Sequence, residues 1–226
     1  MKYKTMEEEI GYAFFKFACD AVSALYDEPE NQIVKIDELD DLAAVRAVFE
    51  MASVIIHLFN RTIFSKVDLE KRDKVIDGVV AAVDRQTTET FGKSLSDKER
   101  TSLRRLFEKT YNAAENQYGE AKTIIGEKPA SVAAKIAGQV ADLSVFDIFL
   151  DRFYIAFYPK EHFCDNIVFS MIAKKMLGDY MLSEEFKSYV SRTVYGEEMK
   201  INEPKEVKGN PIFALLFLVI ILVLLF

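Results

Sequence analysis

Val145–Tyr158 reads VFDIFLDRFYIAFY, and within it Phe146, Phe149, Phe153 and Phe157 recur at intervals of three and four residues. That is the period of one helix face, not the alternation of a half-buried strand. Four large rings on one stripe predict the centre of a hydrophobic core. Upstream, Pro129 suits a first helical position, and Ala130, Ala133, Ala134, Ala137, Gly138 and Ala141 leave room for a close neighbour. The spacing predicts one helix from Pro129 to about Tyr158, ended by Pro159.

Worked outward from this stretch, the same period governs the chain before Gly196. Thr5 with Glu8 has the spacing of a capping box and opens a helix to about Asp27, with Ile10, Phe14, Phe17, Ala21 and Leu25 on one face. Asp37 opens a second helix to about Phe64, with Val45, Val48, Ala52, Ile55, Phe59 and Ile63 turned inward. Ser65 with Asp68 starts a third, which fades at Phe91-Gly92. Ser96 with Glu99 is a second capping box, ahead of a helix to about Ile125 that Gly126 stops. Pro159 begins a sixth helix to about Leu182, and Ser183 caps a short seventh ending at Gly196. Gln32–Ile36 (QIVKI) is the one candidate strand, too short to found a sheet.

The composition agrees with a packed domain. Of 226 residues, 50% are apolar and 29% charged, with net charge −7. This excludes a disordered chain or a rod, and it argues against nucleic acid as a partner. The charge is unevenly spread. No charged residue follows Lys208, and Ile212–Phe226 (IFALLFLVIILVLLF) is apolar throughout. Fourteen Leu, Ile, Val or Phe residues favour insertion in a bilayer by about 4–8 kcal/mol. Asn210 can cap this segment and Pro211 suits its first turn.

Pro211, Ile212, Phe213, Leu215, Leu216, Phe217, Ile220, Leu222, Leu225 and Phe226 are thus read as a membrane anchor. Fifteen residues rise about 22 Å, short of about 30 Å of hydrocarbon, so local thinning or packing beside other transmembrane helices would complete the span. The first ten residues, MKYKTMEEEI, carry no secretory signal or transit pattern. The expectation is a tail anchor with the bundle facing the cytosol, a compartment that suits two cysteines, Cys19 and Cys164, without a disulfide framework. Glu197–Asn210, charged and without apolar period, reads as a tether.

Two histidines, His57 and His162, exclude paired Glu-x-x-His di-iron sites and multi-histidine zinc hydrolases. His57 shares a helical stripe with Arg46, Glu50, Ser53 and Arg61, which reads as a solvated face. His57, His162, Cys19 and Cys164 lack the C-x-x-C spacing of a zinc module, and both cysteines read as buried small apolar residues. No G-x-S-x-G and no glycine-rich phosphate loop is present.

Carboxylates are the remaining chemical resource. Asp37 and Asp41 stand four apart, and Asn112, Asn116 and Glu120 repeat at the same interval. Together they loosely resemble the two magnesium–diphosphate motifs of class I terpenoid synthases, all-helical enzymes of isoprenoid substrates. The pattern departs from that family at Asn116, where it has Ser or Thr, and in the first motif, which is not DDxxD. Asp147 and Asp151 share a stripe with Tyr154 and Tyr158, read as facing solvent. Leu177-Gly178-Asp179 with Met181 resembles a fragment of the BH3 helix of the Bcl-2 family. Lys174 stands where that family needs a large apolar residue, and its Asn-Trp-Gly-Arg motif is missing in a chain without Trp. Met171, Met176 and Met181 read as core filling.

The expected protein is all-α: a single bundle of six or seven helices (1–196), a flexible tether (197–210) and one C-terminal transmembrane helix (211–226). Its expected work is binding, as an adaptor, scaffold or assembly factor whose partners are the lipid bilayer and other membrane proteins or a membrane complex, with no cofactor. The alternative is a membrane-associated enzyme on lipid or isoprenoid substrates, using magnesium held by carboxylates drawn from Asp37, Asp41, Glu120, Asp147 and Asp151.

Overall fold

A computed structural model describes residues 3–26, 42–125 and 143–196, and every regular element among them is a helix. They are α1 (Met6–Tyr26), α2 (Ala43–Ile63), α3 (Leu69–Phe91), α4 (Asp97–Glu120), α5 (Val145–Phe157), α6 (Ile167–Leu182) and α7 (Glu184–Tyr195). The expected strand Gln32–Ile36, the helix start at Asp37, the small-residue run Ala130–Ala141, the tether and the Pro211–Phe226 anchor all lie outside the described residues.

The bundle is the Met1–Val194 unit; of the second unit, Tyr195–Phe226, the described part is Tyr195 and Gly196. Gly196 follows α7 at φ +85°, a left-handed conformation that glycine adopts without a Cβ clash.

α2 is the hub, packed against α1, α3, α4 and α5. Phe49, Met51, Ala52, Val54, Ile55, Ile56, Leu58 and Phe59 are all buried, so every face of the helix is covered. Among the described residues α2 is also the one helix long and apolar enough to cross a membrane, but most of it is enclosed by its neighbours. A helix with apolar residues on most of its circumference takes the central position of a globular bundle.

Each neighbour seals one side of this hub. α1 crosses α3 at Gly11, where a Cβ would stand 2.5 Å from the Ala82 Cβ and 2.8 Å from the Val79 carbonyl oxygen. The aromatic stripe of α5 is central, as its spacing predicts: Phe149 and Phe153 stack at 5.1 Å, and Phe169 of α6 closes on Phe153 and Phe157. A second aromatic nest joins Phe14, Phe59, Tyr180 and Phe186 from α1, α2, α6 and α7.

Local capping explains the observed boundaries. Ser96 and Glu99 form the expected reciprocal box at α4. Asp68, not Ser65, caps α3, accepting from the Lys71 amide. At α1 the Thr5 hydroxyl accepts from the Glu8 amide, while the Glu8 carboxylate takes the Lys4 amide instead of completing a box. α5 begins afresh at Val145 within the stretch read as one helix from Pro129. Ser144 and Asp147 make a capping box there, a Ser-x-x-Asp signal present in the sequence. α6 begins at Ile167, not Pro159, because Asn166 accepts from the Phe169 amide and leaves 158–166 as a connection. α4 stops at Glu120, before Ile125, where Ala121 turns extended and its carbonyl receives the Arg61 guanidinium.

Candidate functional site

The densest polar chemistry lies in the seam where α2, α4 and α5 meet, on the stripe of α2 read as solvated. That reading is corrected: Glu50, Ser53 and His57 are buried, because α4 and α5 cover them. Ser53 donates to the Phe49 carbonyl one turn back, so its hydroxyl needs no outside partner.

Glu50 and Arg152 form the centre of the seam. The guanidinium presents Nε to Oε2 and Nη2 to Oε1, both at 2.7 Å, the two-pronged match that only arginine offers a carboxylate. Arg152 also donates to the Gln117 side chain at 3.1 Å and to the Thr110 carbonyl at 3.2 Å. Side-chain exposure is 11% for Glu50 and 13% for Arg152, so water screens the pair little. Burial pushes the Glu50 carboxyl above its usual range, and the facing guanidinium opposes that rise. Nearby, Arg46 of α2 donates to the Ala156 carbonyl at 3.0 Å, near the C-terminal end of α5.

Two turns along α2 from Glu50, His57 Nδ1 stands 3.0 Å from Glu115 Oε1, and its ring tilts against Tyr118 at 5.1 Å. A neutral imidazole here donates from Nδ1 to the carboxylate. Nε2 of His57 and the Tyr118 hydroxyl have no hydrogen-bond partner within normal geometry among the described residues. Tyr118 is fully enclosed, and burial first, then the Glu50 charge, pushes its phenol well above the usual range.

Outside the seam opens a groove of about 510 Å³, lined by Arg46, Glu50, Glu120, Asp151, Arg152 and His162 among others. The structure therefore brings two of the predicted carboxylates, Glu120 and Asp151, to one place. Asp151 is partly spent, since it accepts the Cys164 amide at 2.8 Å and so pins the connection after α5. Asp147 does not face this groove. Its stripe was read as facing solvent, and the structure corrects this: Asp147 is buried, holds the Ser144 amide and hydroxyl, and has Lys174 at 3.7 Å. Asn112 lines a different groove, between α3 and α4, so the Asn112, Asn116 and Glu120 series does not converge on one cavity. Asp37 and Asp41 lie outside the described residues. Among the described residues no group of three or more His, Cys, Asp or Glu side chains is placed to hold a metal ion.

Cys164 is buried, and Cys19 is half-buried against Asp20, where burial pushes its thiol up to about 11. The Glu50–Arg152 pair is what the sequence reading missed. Its signal is one acid in the apolar run VFEMASVII and one base in VFDIFLDRFYIAF. A lone charge in an otherwise enclosed helix needs a buried partner of opposite sign.

No protein-family model, curated protein or solved structure matches this chain.

Proposed function

We propose that this chain is a membrane-tethered interaction module, an adaptor, scaffold or assembly factor, held at a bilayer by Pro211–Phe226 through the 197–210 tether. The observation that supports the binding half is the outer face of α6. Its inner residues Phe169, Ala173, Leu177 and Tyr180 are buried, yet Ile167, Val168, Met171 and Leu182 stand 51–70% exposed on the other side. A helix of this apolar composition loses solvation free energy along that face until something covers it. The membrane half rests on the uncharged run Ile212–Phe226. The enzyme alternative draws less support, because Glu50 is clamped by Arg152, Asp147 caps its own helix and Asp151 holds the Cys164 amide.

The test uses cell membranes washed with alkaline carbonate. The full chain stays in the pellet, and a chain ending at Asn210 moves to the supernatant; a truncated chain that stays in the pellet refutes the anchor. A photo-cross-linking residue at position 171 forms a polypeptide adduct in those membranes, and one at exposed Lys98 of α4 does not. Equal adducts, or none, at the two positions refute α6 as the binding face.

A further inference from the structure

A second groove, of about 400 Å³, opens where α1 meets the end of α6 and α7, and it shares no residue with the groove at the Glu50–Arg152 seam. Five aromatic rings line it: Tyr3, Tyr12, Phe17, Tyr180 and Tyr189. At 100° per residue, Glu9, Ala13, Lys16 and Asp20 run down one stripe of α1, and Tyr12 and Phe17 flank that stripe on opposite sides. Tyr3 leans on Tyr12 with ring centroids 5.4 Å apart, and Tyr180 stacks on Phe17 at 3.9 Å. Between the two ring pairs stands Ala13, whose single methyl leaves the space open.

Most of the charge in this groove is already answered. Glu9 takes Nη1 and Nη2 of Arg192, each at 2.9 Å. Lys16 holds Asp20 one turn on, and Glu185 acts on Lys16 least of its charged neighbours. Glu185 itself makes no ion pair among the described residues and accepts only the Tyr189 hydroxyl, at 3.2 Å. Burial first, then the Glu185 charge, pushes the Tyr180 and Tyr189 phenols above their usual range, which places that carboxylate beside both rings. Tyr180 is only 6% exposed, and its hydroxyl has no hydrogen-bond partner within normal geometry among the described residues.

We propose that this groove binds a quaternary alkylammonium cation, a choline-type head group, between the Tyr3–Tyr12 and Phe17–Tyr180 pairs with Glu185 as its counter-ion. Other ligand classes fit the lining less well. An anion meets three carboxylates against one ammonium. A metal ion needs converging ligands, and the described residues hold no such group. A neutral apolar molecule covers the rings but leaves Glu185 without a counter-charge. A primary ammonium brings three N–H donors that ring faces satisfy poorly. A quaternary ammonium has no donor to satisfy, spreads its charge over its methyl groups and is drawn to the negative face of an aromatic ring. The inference stands on this groove and does not depend on the membrane anchor.

The experiment titrates the full chain, in dodecyl maltoside micelles that carry no ammonium group, with choline chloride. Saturation-transfer NMR of the choline methyl protons reads the binding. The expected Kd is on the order of 1 mM, and 3,3-dimethylbutanol, the neutral isostere, binds at least about tenfold more weakly. Tyr12→Leu weakens choline about fivefold, whereas Tyr12→Phe, which keeps the ring, changes it by less than about twofold. Glu185→Gln weakens choline about fivefold and leaves the alcohol unchanged. Glu184→Gln removes the adjacent charge, which pairs with Lys187 outside the groove, and keeps choline within about twofold. Tyr12→Phe and Glu185→Gln preserve side-chain shape, so they decide the matter even where Tyr12→Leu fails to fold. Equal binding of choline and the alcohol, no choline binding up to about 20 mM, or equal losses from Glu185→Gln and Glu184→Gln overturns the site. Doping the micelles with phosphatidylcholine then assigns the source. Choline weakened about fivefold or more shows that a lipid head group enters the groove, and unchanged choline affinity assigns it to a soluble ligand; both outcomes support the site.

Discussion

Replacing Arg152 by Met leaves the Glu50 carboxylate enclosed between α2, α4 and α5 without its counter-ion. Among the described residues no other cation stands at hydrogen-bond distance of Glu50, so the side chain takes up a proton. For an acid of ordinary pKa 4.5, remaining neutral at pH 7 costs about 1.36 × 2.5, or about 3.4 kcal/mol, and at pH 5 about 0.7 kcal/mol. The Gln117 and Thr110 oxygens also lose a donor, which adds about 1 kcal/mol. The expected loss is thus about 4 kcal/mol at pH 7, within the range for breaking a buried pair, and about 2 kcal/mol at pH 5. The sign follows from linkage. Between about pH 4.5 and 7 the folded variant keeps a proton that the unfolded chain has released, so stability falls as pH rises. Burial raises the Glu50 carboxyl in the native protein in the same sense, with Arg152 opposing it. The double variant Glu50→Leu with Arg152→Met removes both charges and stays within about 1 kcal/mol of the native protein. Urea unfolding of the detergent-solubilised full chain at pH 5, 6 and 7, followed by far-ultraviolet circular dichroism, reads all three proteins. A single variant no less stable than the double, or one whose loss does not change between pH 5 and 7, would refute the reasoning.

Other substitutions probe the packing around this seam. Gly11→Ala drives a methyl into the Val79 carbonyl of α3, which cannot move without the helix, so it loses about 1–2 kcal/mol by the same unfolding assay. Gly119→Ala meets no atom within 4 Å and gains about 0.5–1 kcal/mol from helix propensity, so the two glycines have opposite signs. Ser144→Ala takes the hydroxyl from the α5 capping box and from buried Asp147, and costs about 1–2 kcal/mol of unfolding free energy, read as a lowered urea midpoint. Cys19, its thiol pushed up to about 11 by burial, reacts slowly with iodoacetamide at pH 8; its rate rises about tenfold per pH unit up to that value, and a plateau near pH 9 contradicts the burial argument.

Much of the bundle is legible in the linear pattern because its determinants are local. Ser96 and Glu99 satisfy each other within four residues, and the Phe149, Phe153 and Phe157 stripe needs only the helical period to be recognised as core. Boundaries shift where two local signals compete. Pro159 suggested a helix start, but Asn166 holds the amide that begins α6, and the Ser144 box divides a stretch whose apolar period runs on without a break.

By itself the sequence determined the helical class, most of the capping, and the confinement of charge to the residues up to Lys208. Each of these depends on neighbours within a turn or two, or on composition alone. Only the tertiary structure decided which stripes are inside. Arg46, Glu50, Ser53 and His57 form a polar line that any periodicity reading turns toward water, and Asp147 another. Glu50 and Asp147 are enclosed by neighbours that carry Arg152 and Lys174, 102 and 27 residues away, and these supply the opposite charges that make enclosure tolerable. The reverse holds for α6, whose apolar residues are spread round the helix in sequence. Its outer line of Met171, Gly178 and Leu182 is exposed because none of the described helices reaches it.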